Sequence, residues 1–464
     1  MTKLISKHKI NLIFIASVAA LGGFLFGFDT AVISGTIGFV TDQFNLDSVL
    51  KGWFVSSALV GCLTGASIAG RISDKYGRKP VLMLSASLFM LSALGCMISG
   101  SFTTLIIYRI IGGMGVGVAS VLSPLYISEF SPSYLRGRLV AIYQLAITLG
   151  ILLAYFSNAW LHELSESSVF SNPDSFMGLV IGKEVWRGMF GTEMIPAGLF
   201  LISLFFVPES PRWLVKQNSN EKALKAFSRI VNEQEANREI EEIQQVIQIE
   251  GGSFRDLFGK ELKPAIIIGV VLAVLSQFSG INAIIYYGPE ILNEAGFTLG
   301  ESLGGQVTIG LVNVVFTFIA IATIDKFGRR PLLITGVSGA AISLLIVGFL
   351  FQIGLDSGIW ILVFIISFIA CFAFSFGPVV WVLLSEIFPT KIRGRAMALA
   401  TFSLWAANVI VGQTVPWLLE NIGPSGTFWI FALLCTPAIW ITIKKVPETR
   451  GKSLEEIERF WYSK

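Results

Sequence analysis

Charge is scarce in this sequence: Asp, Glu, Lys and Arg make up 14% of the 464 residues, against roughly 25% in a soluble globular protein. Histidine occurs only twice and cysteine four times. No His/Cys/Asp/Glu cluster has metal-ligand spacing, no strand-borne glycine loop could cradle a nucleotide, and no nucleophile, base and acid stand together. An ATP-driven pump and an enzyme are therefore both disfavoured, and no cofactor or metal is expected. The formal net charge of +3 is too small to call for a nucleic-acid partner. Cys62, Cys96, Cys371 and Cys435 all fall in apolar segments, which reads as buried thiols rather than a disulfide framework.

What the chain has in abundance is apolar length. Hydrophobic residues make up 53% and phenylalanine alone accounts for 37 positions. Apolar runs recur at about 12–36, 50–72, 81–99, 103–128, 138–160, 188–207, 264–287, 304–324, 331–353, 359–384, 396–419 and 425–443. Each is near the ~20 residues a helix needs to cross roughly 30 Å of hydrocarbon. The expectation is an all-α membrane protein with twelve transmembrane helices. The first run is too long for a cleaved signal peptide and offers no small-residue cleavage site. Thirty of the 34 Lys and Arg fall in the N-terminal tail, alternate loops and the C-terminal tail, so both termini are expected in the cytoplasm.

Three ionisable residues interrupt this pattern. Asp29 lies within LFGFDTAVISG, Arg109 within LIIYRIIGGMG and Glu193 within FGTEMIPAG. Asp29 stands 20 residues beyond Lys9 and Arg109 stands 20 before Glu129, which puts each roughly 30 Å along its helix from the cytoplasmic face. Glu193, 16 residues before Glu209, reaches about 24 Å by the same count. Each would cost about 2.5–3.5 kcal/mol or more facing lipid alone, so they are expected to meet inside the bundle. Two readings stand: a fixed salt bridge that locks helices together, or an acid whose proton affinity changes as the Arg approaches and withdraws.

The chain also repeats. GRISDKYGRKPVLM (70–83) is echoed by ATIDKFGRRPLLI (322–334), PLYISEFSPSYLRGRLVA (124–141) by WVLLSEIFPTKIRGRAMA (381–398), and VPESPRW (207–213) by VPETRGK (446–452). The repeat predicts two six-helix bundles of one orientation, 1–207 and 264–446, with a helical cytoplasmic linker at 208–263, a tail at 447–464 and a substrate site near the midplane between halves. Within the echoes, Gly77 and Gly328 suit a left-handed turn residue. Asp74, Arg78, Glu129, Arg136, Glu209 and Arg212 in the first half, with Asp325, Arg329, Glu386, Arg393 and Glu448 in the second, are candidate cytoplasmic gate residues. Glu129 is expected to pair with Arg136, and Glu386 with Arg393; simple topology anchoring is the plainer alternative. GGMGVG (112–117) sits inside a span, where close helix packing is expected rather than phosphate binding. Gly280 in QFSGIN should break its helix where Gln277 and Asn282 converge.

With these motifs in view, the chain resembles the sugar porter family of the major facilitator superfamily over nearly all of 10–460, most of all bacterial D-xylose:proton symporters in GFDTAVISGT and VGVASVLSPLYISE. The resemblance implies a monosaccharide carrier in which Asp29 pairs with Arg109 under the influence of Glu193, and the acid at position 29 implies symport. It further implies sugar ligands at Gln144, Gln277, Asn282, Tyr286 and Asn313, Trp381 and Trp405 against the ring, and Gly377 at the kink of the tenth helix. Amides and aromatic faces are what a neutral polyol needs, and buried amides otherwise serve as interhelical hydrogen bonds. Ser276 and Ile151 stand where xylose symporters carry glutamines. A monomeric, multi-pass carrier of the inner membrane that moves sugar with a proton is the expected function; a facilitative uniporter and a non-transporting sugar sensor are the alternatives.

Overall fold

The computed structural model describes residues 2–132, 135–170, 172, 175–249, 259, 262–354, 358–388, 393–452, 456–457 and 461. Among them the secondary structure is helical. Twelve helices are long and apolar enough to span a bilayer: α1 His8–Phe44, α2 Ser48–Tyr76, α3 Arg78–Ile98, α4 Phe102–Phe130, α5 Gly137–Glu166, α6 Val185–Phe206, α7 Lys263–Glu294, α8 Leu299–Phe327, α9 Arg329–Gln352, α10 Gly358–Ile387, α11 Gly394–Asn421 and α12 Gly423–Lys444. Most begin and end beyond the apolar runs read from sequence, because the helical hydrogen-bond ladder continues past the apolar core into polar surroundings.

Local chemistry starts and stops these helices. Asp47 caps α2 by accepting from Leu50 N–H at 2.7 Å, while Ser101 and Thr298 form capping boxes at the heads of α4 and α8. Gly77 and Gly328 close α2 and α8 at φ 100° and 88° with ψ near 164° and 163°, a region open in practice to glycine alone.

Small residues decide which helices touch. A Cβ added to Gly113 would stand 1.9 Å from the Ala58 carbonyl oxygen, and one on Gly117 would stand 2.2 Å from that of Cys62. The glycines of GGMGVG are thus the seam of α4 against α2. Gly27 and Gly150 do the same for α1 and α5, where a Cβ would meet Ile147 O at 1.9 Å and Phe24 O at 2.0 Å. With lipid as apolar as leucine, such close backbone approach is the main source of helix adhesion.

The two bundles, α1–α6 and α7–α12, meet along α2 with α11, α5 with α8 and α1 with α7. Between them Pro211–Lys216, Asn220–Phe227 and Glu233–Ile249 form surface helices whose Leu214, Phe227 and Ile240 are buried. Residues 250–258, 260 and 261 of the expected linker lie outside the described residues. The four cysteines are unpaired, three of them buried.

Candidate functional site

Asp29 and Arg109 meet as expected from their depths. Arg109 Nη1 donates to Asp29 Oδ1 at 2.7 Å, and both side chains are under 5% exposed. Gly112, one turn along α4, lets Ser92 of α3 close on the pair; a Cβ there would sit 2.3 Å from Ser92 Oγ and 3.8 Å from Asp29 Oδ1. Glu193 is buried at the bend between the Val185–Thr192 and Met194–Phe206 segments of α6, within electrostatic reach of both partners. Its Oε1 and the Nε of Arg109 are buried without a hydrogen-bond partner among the described residues. A buried unpaired donor and acceptor are expensive, so this is a cluster with unused bonding capacity rather than a saturated lock. Phe190 completes it: the Arg109 Cζ lies 5.4 Å from the ring centroid.

A cavity of about 130 Å³ opens between the bundles, and Gln144, Gln277, Asn282, Tyr286, Asn313, Gly377, Trp381 and Trp405 all line it. On α5, Gln144, Ile147, Thr148 and Ile151 share one face by helical spacing. On α7 the ladder ends at Phe278, and Gly280 takes φ 88°. A Cβ on Gly280 would also fall 2.7 Å from the Phe431 ring. This break turns Gln277 and Asn282 together, with Asn282 Nδ2 donating to Gln277 Oε1 at 2.6 Å and Gln277 Nε2 donating to Ser276 Oγ at 3.1 Å. Trp405 packs on Phe26, ring centroids 5.3 Å apart.

Two features escape the sequence reading. Asn408 lines the cavity and shares a hydrogen bond with the Tyr286 hydroxyl at 3.1 Å; an amide within the apolar run of α11, which also carries Gln413, was the available signal. The break in α10 falls at Ser375, φ −125° and ψ −86°, and not at Gly377 as the resemblance implied. Pro378 cannot donate to the carbonyl of Phe374, so the ladder fails just before Gly377. Gly377 instead leaves the wall open, with nothing nearer than 3.7 Å to a Cβ built there.

The loop face that carries Gly77 and Gly328 holds two matching charge networks. In the first, Arg78 pairs with Glu129 and Asp74, each at 3.0 Å, Ser210 donates to Glu129, and Glu209 accepts from the backbone N–H groups of Arg78 and Lys79. In the second, Arg329 pairs with Glu386 at 2.9 Å and Asp325 at 3.0 Å, Thr449 donates to Glu386, and Glu448 accepts from the N–H groups of Arg329 and Arg330. Each echoed glutamate thus seats a carboxylate on a helix N-terminus, where anions are favoured. The described partners include Arg78 for Glu129 and Arg329 for Glu386, which the turn glycines bring beneath the glutamates; the expected partners Arg136 and Arg393 have side chains outside those described. Arg212 is half-buried in Pro211–Lys216. Burial pushes Glu209 above the ordinary carboxylate value despite its backbone donors. For Glu448, burial acts the same way but the donors, Arg450 N–H first, outweigh it and hold the carboxyl low.

These ion pairs lie within one bundle or the other. On the opposite face, Lys51 of α2 joins Glu290 of α7 at 2.9 Å, and Gln413 of α11 accepts from Ser56 and donates to the Val49 carbonyl. Among the described residues, ion pairs between bundles occur only on that face.

The family described as "Sugar (and other) transporter" matches residues 15–461. The arabinose-proton symporter of Bacillus subtilis (strain 168) is 42% identical over 98% of this chain and 96% of its own length. The D-xylose-proton symporter of Escherichia coli (strain K12) is 39% identical over 96% and 95%. Among solved structures, the inward-open conformation of the xylose transporter XylE from E. coli superposes with a TM-score of 0.83 at 38% identity, over 97% of this chain and all of that one. Twelve spanning helices, two echoed bundles and a full-length match agree: the chain is an integral membrane protein, a transporter and not an enzyme, and it belongs to the sugar porter family of the major facilitator superfamily.

Proposed function

We propose that this chain imports a monosaccharide, a pentose or hexose, together with a proton by alternating access. The observation that carries the reading is the juxtaposition of a buried, incompletely bonded Asp29–Arg109–Glu193 cluster with a cavity of amides and indoles between two bundles. Gln144 and Asn313 have no side-chain hydrogen bond among the described residues and are free to take sugar hydroxyls. Trp381 and Trp405 supply apolar faces for C–H groups. Ser276 and Ile151, shorter or apolar where xylose symporters have amides, leave room for a hexose.

In the proposed cycle, protonation of Asp29 removes the counter-charge of Arg109 and frees the bundles, 1–207 and 264–446, to rock about the cavity. The face with Gly77 and Gly328 is cytoplasmic, as are both termini, in a multi-pass, monomeric protein of the inner membrane. The Lys51–Glu290 ion pair that joins the bundles on the opposite face supports an inward-facing arrangement. The residues Asp74, Arg78, Glu129, Glu209, Asp325, Arg329, Glu386 and Glu448, with Arg136, Arg212 and Arg393, serve as the cytoplasmic gate. Proteoliposomes test this directly. An imposed inward proton gradient should drive accumulation of sugar by wild type, and Asp29→Asn should lose that response. Equilibration without accumulation in wild type would establish a uniporter instead, and absence of exchange for every monosaccharide tried would leave a sensor.

A further inference from the structure

We infer that Phe190 is a positioning residue for proton coupling: its ring face seats the Arg109 guanidinium while Asp29 carries the proton. This rests on the proposed symport and assigns a task to a residue outside the charged cluster.

Arg109 is buried in the membrane interior and uses only Nη1 on Asp29, while its Nε has no partner among the described residues. The titratable groups around the guanidinium are Asp29 from α1, Cys62 from α2, Cys96 from α3 and Glu193 from α6. If Asp29 accepts a proton, the one acid bonded to the cation becomes neutral. A guanidinium in a low-dielectric interior that loses its bonded counter-charge, with Glu193 near but not hydrogen-bonded to it, is costly, and that cost falls on the proton-loaded state. The face of a phenyl ring attracts a cation through its quadrupole, most strongly where water is absent, and it does not titrate.

Phe190 is placed to supply that attraction. Its ring centroid lies 5.4 Å from Arg109 Cζ, and the residue is 1% exposed. Two edge-on contacts hold the ring: Phe54 on α2, centroids 6.3 Å apart at 82°, and Trp186 one turn back on α6, 6.4 Å apart at 81°. Trp186 is itself fixed by donating to Gln43 of α1 at 2.7 Å. Glu193 N–H donates to the Phe190 carbonyl at 3.2 Å, so ring and second acid arrive from the same turn. The ring does not titrate, and once Asp29 is neutral and releases Nη1 the guanidinium is free to settle more fully on its face, so its attraction counts for more in the proton-loaded state than in the ionised one.

The experiment replaces Phe190 site-specifically by phenylalanines bearing one, two and three ring fluorines, which drain the quadrupole while nearly preserving shape, and by Tyr and Leu. Sugar uptake in proteoliposomes is measured against external proton concentration. In the trifluoro and Phe190→Leu proteins, the proton concentration for half-maximal uptake should rise about tenfold, with intermediate fluorination graded between, while maximal uptake and Phe190→Tyr stay within about threefold of wild type. A half-maximal proton concentration unmoved across the fluorinated series overturns the inference, as does a fall in maximal uptake alone, which is what a packing role would give. If Phe190→Leu fails to fold, the fluorinated series alone decides. Wild-type uptake indifferent to protons would refute the symport reading itself, whereas proton-dependent uptake indifferent to fluorination refutes only the role of Phe190.

Discussion

At the scale of single residues, the same glutamate position behaves differently in the two bundles. Glu209 and Glu448 occupy echoed sites, each accepting backbone N–H groups at the head of a helix. Glu448 is held low, so its favourable contribution is present above the ordinary carboxylate value near ~4.3 and disappears as pH falls through its lowered value. Glu209 is raised, so its ionisation costs stability at neutral pH, and acidification through the raised value relieves that cost. Glu209 should therefore gain its proton at a higher pH than Glu448. Fluorine NMR of labelled Trp213, which donates to the Asp74 carbonyl, and of Trp461, which donates to the Ile387 carbonyl, provides local reporters. The Trp213 resonance should titrate at the higher pH; a reversed order would contradict the assignment.

At the scale of the element, broken helices matter most, and their two glycines are not equivalent. Gly280 must hold φ 88° and has the Phe431 ring 2.7 Å from any Cβ. Gly280→Ala should cost about 1–2 kcal/mol from the left-handed backbone alone, with the clash added, and lower both melting temperature and uptake. Gly377 has neither constraint, and its position is set by the break at Ser375. Gly377→Ala should leave the melting temperature unchanged and raise the sugar concentration for half-maximal uptake, because its methyl group enters the cavity wall. Thermal unfolding in detergent with uptake kinetics checks both. Equal thermal losses would show that Gly377 is a backbone requirement after all. The α7 break was legible in QFSGIN, since glycine between two amides in an apolar run has a local cause. The α10 break, placed at Gly377 by the family likeness, falls two residues earlier at Ser375, because the missing N–H of Pro378 acts four residues upstream.

At the scale of the whole molecule, the proposed alternating-access cycle makes the balance between inward and outward states depend on contacts that join the bundles on one face. Lys51–Glu290 is such a contact, about a quarter exposed on each side, and a pair of this kind is worth at most about 1 kcal/mol, or about fivefold in an equilibrium. Lys51→Glu should raise the rate at which a membrane-impermeant thiol reagent reaches a cysteine placed at Ile151 from the outer face by up to about fivefold. Adding Glu290→Lys should restore the wild-type rate. Failure of the swap to restore it would mean that Lys51 acts through something other than its charge partner.

The amino-acid sequence by itself determined the spans, the two-fold repeat and the depth match of Asp29 with Arg109, which follow from quantities counted along one chain: apolar length against bilayer thickness, residues from a loop, and motif spacing. Most of the residues expected around the cavity came instead from the likeness to the sugar porter family, and the fold brings them together there. Tertiary structure decided the partners. Glu129 was expected to meet Arg136, and the fold of the Gly77 turn brings Arg78 to it, a contact that nothing in the local sequence announced. Asn408 joins Tyr286, and Phe190 faces Arg109, because helices remote in sequence cross there. A cation accepts any acid or ring face that packing brings to it, and packing among twelve helices is set by where glycines let backbones approach.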